Sequence, residues 1–418
     1  MIKADVVLGM NFGDEGKGHI TNFLSSSESL VVRFNGGPQA AHRVILSDGR
    51  EHVFRHFGSG TMKGARTLFA HHFMINPMAF LNELNELRTK ARLTAPLIDP
   101  RCRFTTPYDM LINQFAAVSQ GITNTVGMGI NETVQRNCFD DLRITARTIL
   151  DKTDTELEKI LLMIENDYTP WRLKHLSLDA DAFRRFAVQH GSPQEWVRTF
   201  LQTSRWMLTQ SAVYPEEEVI SRFLTKKVGR NLIFEGAQGV LLDQLRKGED
   251  PKYLTASSTN LRNVIEALRL VTVPLQLDVH LVSRAYLTRH GDGPLWDELP
   301  GLPYAGVEDP TNETNKYQGS IRYAFLHEPW LGQSIVETES DIEKASLGCV
   351  HDHRIVQDIT CVDHLDGYDA DSPLKSKARI GIGEKEHELG DLFWTANLIS
   401  TGHTEAGVKK AAREAKRV

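Results

Sequence analysis

Apolar residues follow two rhythms along this chain. Nearly continuous apolar runs at Asp5 to Gly9, Leu30 to Phe34, Asn231 to Phe234 and Val279 to Leu287 suit strands buried on both faces. Between them lie stretches with helical periodicity, as in Phe80 to Ala91 and Asp154 to Asn166. Their alternation predicts an α/β fold, a mostly parallel central sheet flanked by helices. Residues 151–218 are charged, helix-prone and poor in glycine motifs, which predicts a helical insertion. The last eleven residues, rich in Lys, Arg and Ala, predict a solvated terminal helix. No internal repeat or low-complexity segment interrupts the pattern. A chain of 418 residues can bury a large core, as one α/β domain with insertions or as two domains. The expectation carried forward is one domain over 1–418, with the insert at about 151–218.

The first apolar run breaks into Gly9-Met10-Asn11-Phe12-Gly13-Asp14-Glu15-Gly16-Lys17-Gly18, and a helix-like segment from His19 to Leu24 follows. Glycines let backbone approach a phosphate, and the helix start behind them offers unpaired N–H groups. Lys17 adds a mobile positive charge; the carboxylates could hold Mg²⁺ or take a proton. Asn11 stands where a Walker A loop needs its first glycine, and the spacing is not G-x-G-x-x-G either. A second strand-like run, Val31-Val32-Arg33-Phe34-Asn35-Gly36-Gly37, leads to Pro38-Gln39-Ala40-Ala41-His42. A third, Phe234-Glu235-Gly236-Ala237-Gln238-Gly239, ends in a side-chain amide where open α/β sheets bind ligands. One amide can donate to a purine ring and accept from it.

Composition narrows the class. A formal net charge of −6 argues against a nucleic-acid surface, and no run approaches the roughly 18 apolar residues of a membrane span. The first residues go straight into strand-like sequence, so no signal peptide is expected and the location is read as cytoplasmic. Cys102, Cys138, Cys349 and Cys361 lie far apart, as reduced thiols would.

G-D-E-G-K-G, V-V-R-F-x-G-G, a histidine five residues on, and F-E-G-A-Q-G in this order resemble adenylosuccinate synthetase. Thr255-Ala256-Ser257-Ser258-Thr259 resembles that family's phosphate-contacting T-S-S-N-T, and His56-Phe57-Gly58-Ser59-Gly60 and Pro107-Tyr108-Asp109 match further segments. Thr125-Val126-Gly127-Met128-Gly129-Ile130 is similar to T-T-G-R-G-I-G, with Arg136 where the family places an arginine reaching the partner subunit. Arg284-Ala285-Tyr286-Leu287-Thr288-Arg289-His290-Gly291-Asp292-Gly293-Pro294 is close to K-A-Y-x-T-R-V-G-x-G-P. Leu365-Asp366-Gly367 and Ile399-Ser400-Thr401-Gly402 resemble segments around the donor base. Only residues 150–220 lack a counterpart.

The resemblance implies a P-loop-NTPase-like fold without a Walker A loop, and a ligase joining L-aspartate to C6 of a 6-oxopurine nucleotide. The 6-oxygen is first phosphorylated by a nucleoside triphosphate and then displaced. Asp14 is the implied base for the N1 proton, His42 the group stabilising O6, and Lys17 the third catalytic residue. Gln39, Thr125, Val126 and Arg136 are implied substrate contacts. So are Gln238, Thr255, Arg289 and Arg322. Gly13, Glu15, Gly16 and Gly18 would hold the triphosphate at one end, and Asp363, Ser400 and Gly402 at the other. Asp14 and a carbonyl at Ala41 would hold Mg²⁺. A homodimer is implied through Arg136. For a lone aspartate or histidine, a helix cap or a satisfied core histidine would be the commoner reading.

Departures bear on specificity. The family's N-N-A-G-H-T is Pro38-Gln39-Ala40-Ala41-His42-Arg43 here, His19 replaces a lysine, and Met128 replaces an arginine. Its T-K-L-D-V-L-D-G is Thr360-Cys361-Val362-Asp363-His364-Leu365-Asp366-Gly367, so the lysine that packs on guanine is absent although Asp363 remains. The arginine-rich aspartate loop is replaced by Thr314-Asn315-Lys316-Tyr317-Gln318-Gly319-Ser320-Ile321-Arg322. These changes favour a phage-type specificity: dGMP or GMP as acceptor, ATP or dATP as donor. The ordinary pair, IMP and GTP, stays open, as does a binding module that has lost turnover.

Overall fold

The computed structural model describes residues 2–121, 125–225, 230–307, 317, 319–345, 347–368, 378–382, 385–388, 396–400, 402, 404 and 407–410. Ten strands form one sheet. Across it run Val408–Lys410, Ala396–Ser400, Val350–Thr360, Leu275–Arg284, β1 (Ile2–Gly9), Asn231–Gly239, β2 (Ser29–Arg33), Arg66–Phe69, Leu97–Ile98 and Ala212–Val213. Every neighbouring pair is parallel except the one that adds Val408–Lys410. β1 is central, with Val6 beside both Phe234 and Val279. Side chains alternate between two buried faces. Val6, Leu8, Val32, Phe234 and Val279 share one core cluster, and Val7, Val31, Ile233 and Val282 share the opposite one with Ile20 of α1 (Lys17–Leu24). Both faces being dry explains the unbroken apolar runs.

Helix ends are written locally. Asn76 accepts from the amides of Met78 and Ala79 ahead of Pro77–Lys90, and a Thr106–Asp109 capping box opens Pro107–Gln120. Helices Asp154–Met163, Thr169–His175, Ala180–Val188 and Pro193–Thr209 make up most of the charged segment. Their Leu157, Leu161, Phe183 and Phe200 share one core with Phe54, Phe69 and Phe104 of the body. The segment then returns as the edge strand Ala212–Val213.

Two expectations change. Val279 to Leu287 is not one strand: it breaks after Arg284 and resumes as Leu287–Arg289, paired with Arg322–Ala324. At the terminus, Val408–Lys410 extends the sheet where a helix was expected, and 411–418 lie outside the described residues.

Buried charge crosses the middle of the sheet. His280 Nδ1 lies 2.6 Å from Asp358 Oδ2 and Nε2 lies 3.1 Å from Asp5 Oδ1, which joins three strands. Burial alone would lower the His280 pKa, but Asp358 and Asp5 outweigh it and raise it to about 9. No helix among the described residues is long and apolar enough to cross a membrane.

Candidate active site

The carboxyl ends of the parallel strands carry the singled-out turns. After β1 the chain folds around Glu15. Its Oε1 accepts from the amides of Gly13 at 2.7 Å and Asn11 at 3.0 Å, and its Oε2 accepts from Lys17 Nζ at 2.8 Å. Gly13 and Gly16, with φ of 101° and 88°, permit this winding, and Gly16 caps α1. Glu15 and Lys17 are both buried, so Lys17 is a fixed charge rather than a mobile one. Asp14 also has positive φ, 61°, and its side chain faces outward, 35% exposed. Its carbonyl accepts from Arg284 Nε, and its Oδ2 lies 3.3 Å from His290 Nε2.

His42 opens β3 (His42–Ile45), which pairs with β4 (Glu51–Phe54). Its Nδ1 sits 2.6 Å from Oε1 of Glu235, a fully buried carboxylate that also accepts from the amide and hydroxyl of Ser59. A side chain at Gly18 would meet His42 Cβ at 2.6 Å and Ser59 Oγ at 2.9 Å, so the start of α1 abuts the imidazole. Burial pushes Glu235 up, yet His42, Arg33 and Ser59 together hold it down at about 2. Burial also lowers His42, opposed by Glu235 and reinforced by Arg33 and Lys17. The resting pair is thus an ionised Glu235 accepting Nδ1–H of a neutral imidazole whose Nε2 faces away from it. Ala41, just before it, is exposed.

Asn35 clamps the next two turns together. Its side chain donates to the carbonyls of Ala237 and Ser258 and accepts from the amide of Ala237, while Ser257 Oγ accepts from Gly36 N–H. Gln238 follows with φ of 65°, a costly conformation for a side-chain-bearing residue, and is half-buried beside Gly13. The Gln39 amide is buried against Gly36, and both of its polar atoms lack a partner. Thr255 is half-buried, its N–H bonded to Leu242 O. Thr125 and Val126 are half-buried in a loop pinned by Asn113, which accepts from Thr125 Oγ1 at 3.0 Å. Ile130, at the loop's end, reaches Gly37. Gln39, Gln238 and the Thr125 loop are therefore gathered on one side of the Asp14–His42 region.

Arg136 does not stand where the resemblance places it. It is fully buried in its own subunit, forking onto Asp109 at 2.9 Å and donating to the carbonyls of Phe104 and Leu142. Asp109 is one member of the capping box, so this arginine locks a helix start from inside its own subunit. Arg289 and Arg322 face each other across their strand pair. Asp363 lies half-buried just past Cys361, whose φ is 59°. Ser400 Oγ lies 2.9 Å from His19 Nε2 and donates to Gly402 O, so His19 ties α1 to the last parallel strand. Thr314 to Lys316, Gln318 and Thr401 lie outside the described residues.

Glu235, Ser59 and His290 were not singled out from sequence. A carboxylate on an otherwise apolar buried strand was the available signal for Glu235, since such a group needs a partner. His290 stands where the resembled motif has valine.

Fold and site together define an α/β protein with a candidate ligand site at the carboxyl edge of a parallel sheet, lined by an outward carboxylate and a carboxylate-held imidazole. The family model for adenylosuccinate synthetase matches residues 6–321, and the chain belongs to that family. It is 31% identical over 310 residues to adenylosuccinate synthetase of Chromohalobacter salexigens and 32% identical over 314 residues to that of Psychrobacter sp. strain PRwf-1. In both cases the match covers 72% of this chain and 66% of the relative, just under two thirds of its length. Among solved structures, fully ligated adenylosuccinate synthetase from Plasmodium falciparum superposes with a TM-score of 0.68 at 16% identity, covering 99% of this chain and 100% of that one. Cyanophage S-2L succinoaminodeoxyadenylate synthetase, bound to dGMP and dATP, superposes at 0.55 and 13% identity, covering 99% and 96%. At these identities the likeness is one of fold.

Proposed function

We propose that the protein is a C–N ligase that condenses L-aspartate with C6 of a 6-oxopurine nucleotide. The observation that carries the reading is that Gln238, beside Gly13, and the Glu235-held His42, beside Gly18, flank the glycine-rich turn that bears Asp14. Asp14 takes the N1 proton, so negative charge moves onto O6. O6 then attacks the γ-phosphorus of the donor, and the bond to the leaving nucleoside diphosphate breaks. The amine of aspartate attacks C6 and inorganic phosphate departs. Substrate phosphates bring negative charge that opposes the effects of Arg33 and Lys17 on His42, favouring an Nε2–H that hydrogen-bonds to the O6 oxyanion without transferring its proton. Glu235 stabilises that imidazolium through Nδ1–H. Asp14, which faces outward, and the carbonyl of the exposed Ala41 would offer the hard oxygen donors Mg²⁺ prefers, and the ion would neutralise charge on the triphosphate.

For specificity we infer dGMP or GMP as acceptor and ATP or dATP as donor. Cys361 in place of a lysine, set in a left-handed turn, supports this by removing the stem expected to pack on guanine. Retention of Asp363 favours the second reading, IMP with GTP. Family membership also supports a homodimer, without Arg136 as a shared group, and sedimentation at working concentration checks that.

Aspartate-dependent phosphate release with IMP, GMP and dGMP, each paired with ATP, dATP and GTP, tests the whole. Turnover is expected with dGMP or GMP and an adenine donor, falling on the order of 10²-fold in Asp14→Ala and His42→Ala. A kcat/KM preference for GTP above about tenfold, roughly 1.4 kcal/mol, overturns the donor assignment. Nucleotide binding without aspartate-dependent release under any pairing leaves a binding module instead.

A further inference from the structure

Beyond the turn that bears Asp14, Arg289 and Arg322 are directly opposed across their antiparallel strands. Like charges in that relation repel. Both guanidiniums nevertheless hang from consecutive carbonyls: Arg289 Nη1 donates to Pro294 O and Arg322 Nη2 to Gly293 O, each at 2.8 Å. Glu298 takes one edge of Arg322 at 2.6 Å, while Arg322 Nε is buried without a partner. Arg289 lies 4.4 Å from the Phe12 ring, and Phe12 meets the edge of Trp330 at 5.0 Å. Three residues on in the same helix (Glu328–Ala345), Gln333 accepts from Arg246 Nη2 at 2.9 Å. Arg246 Nε and Nη1 are also buried and unpartnered. Burial lowers the Arg289 pKa to about 10; Arg322 and Arg246 add to that, and Glu249 opposes it. The cluster adjoins the proposed base, because His290 follows Arg289 in sequence and contacts Asp14, and Thr288 Oγ1 reaches toward Gly13 O.

Three clustered guanidiniums, two of them with buried N–H groups that lack a partner, call for anionic oxygens, two carboxylates more than one. We propose that Arg246 joins Arg289 and Arg322 in a dicarboxylate cradle and grips a carboxylate of the amino-acid substrate. The assignment rests on the ligase reading and gives it a residue outside the segment that follows residue 314. The competing role for Arg246 is a packing contact to Gln333 alone.

Steady-state kinetics on Arg246→Gln and Arg246→Lys decide between them. A cradle arginine predicts a KM for L-aspartate raised at least about tenfold in both, since lysine keeps charge but not the fork. KM values for the two nucleotides should stay within about twofold. An unchanged aspartate KM in a folded Arg246→Gln protein overturns the assignment. Thermal stabilisation by succinate, a dicarboxylate that cannot react, separates this idea from the activity. Stabilisation of the wild type that is lost in Arg246→Gln supports the cradle even if no nucleotide pair turns over. Turnover with aspartate in the wild type, with an unaltered succinate response in the variant, leaves the ligase standing and removes Arg246 from it.

Discussion

At the scale of residues, Glu235 sets what His42 can do. With Nδ1–H held by an ionised carboxylate, the imidazole keeps one orientation and one tautomer, and Nε2 is left for substrate. Glu235→Gln preserves size but can offer an amide N–H to Nδ1, which would move the ring proton to Nε2 and leave no carboxylate to stabilise an imidazolium. Turnover is expected to fall on the order of 10²-fold with the fold intact. Turnover within a few-fold of wild type in that variant, with an unchanged far-UV spectrum, would remove Glu235 from the mechanism. Arg136 makes the contrasting case. Sequence order put an arginine at the expected place after the T-V-G-M-G-I loop, but order cannot say which way a side chain points. The fork onto Asp109 is a three-dimensional fact.

Among the elements, the sheet's central strands carry the charge network of Asp5, His280 and Asp358. The folded His280 value of about 9 lies above its ordinary 6.5. Its stabilising contribution is therefore full below pH 6.5 and is lost as pH rises through about 9. His280→Gln should cost about 3–5 kcal/mol at pH 6, because two buried carboxylates lose a charged partner, Asp5 keeping Lys3 and Asp358 the amide of Leu398. Denaturant titrations at pH 6 and pH 10 check this: the gap to wild type should narrow at the higher pH. A gap independent of pH would mean that His280 is neutral in the folded protein. The same strands show what the apolar pattern could and could not reveal. Asp5 to Gly9, Leu30 to Phe34 and Asn231 to Phe234 were legible because both faces are dry. The break after Arg284 was not, since an apolar run continues through Ala285-Tyr286-Leu287 while the backbone leaves the sheet.

For the molecule as a whole, the parallel sheet and its ligand edge could be read from glycine turns that follow apolar runs. Asp14 and Gln238 could be read for the same reason, because each sits at a turn whose glycines are required by the backbone, whereas His42, which opens β3, could be read from its spacing in the resembled motif. Partners brought in from far along the chain could not. His290 reaches Asp14, and Arg246 reaches Gln333, only through tertiary packing. The central position of β1 has a further consequence, in time instead of space. Its two neighbours begin at Asn231 and Leu275, so β1 has no native strand to pair with until Asn231–Gly239 has emerged from the ribosome, and no second one until Leu275–Arg284 has. At roughly 5–20 residues per second, that leaves an apolar segment exposed for on the order of ten seconds or more. Pulse-labelled hydrogen exchange during refolding should find the amides of Val6 to Leu8 protected late, after those of Pro107–Gln120, whose contacts are local. The strand that presents the candidate base is then among the last to be secured.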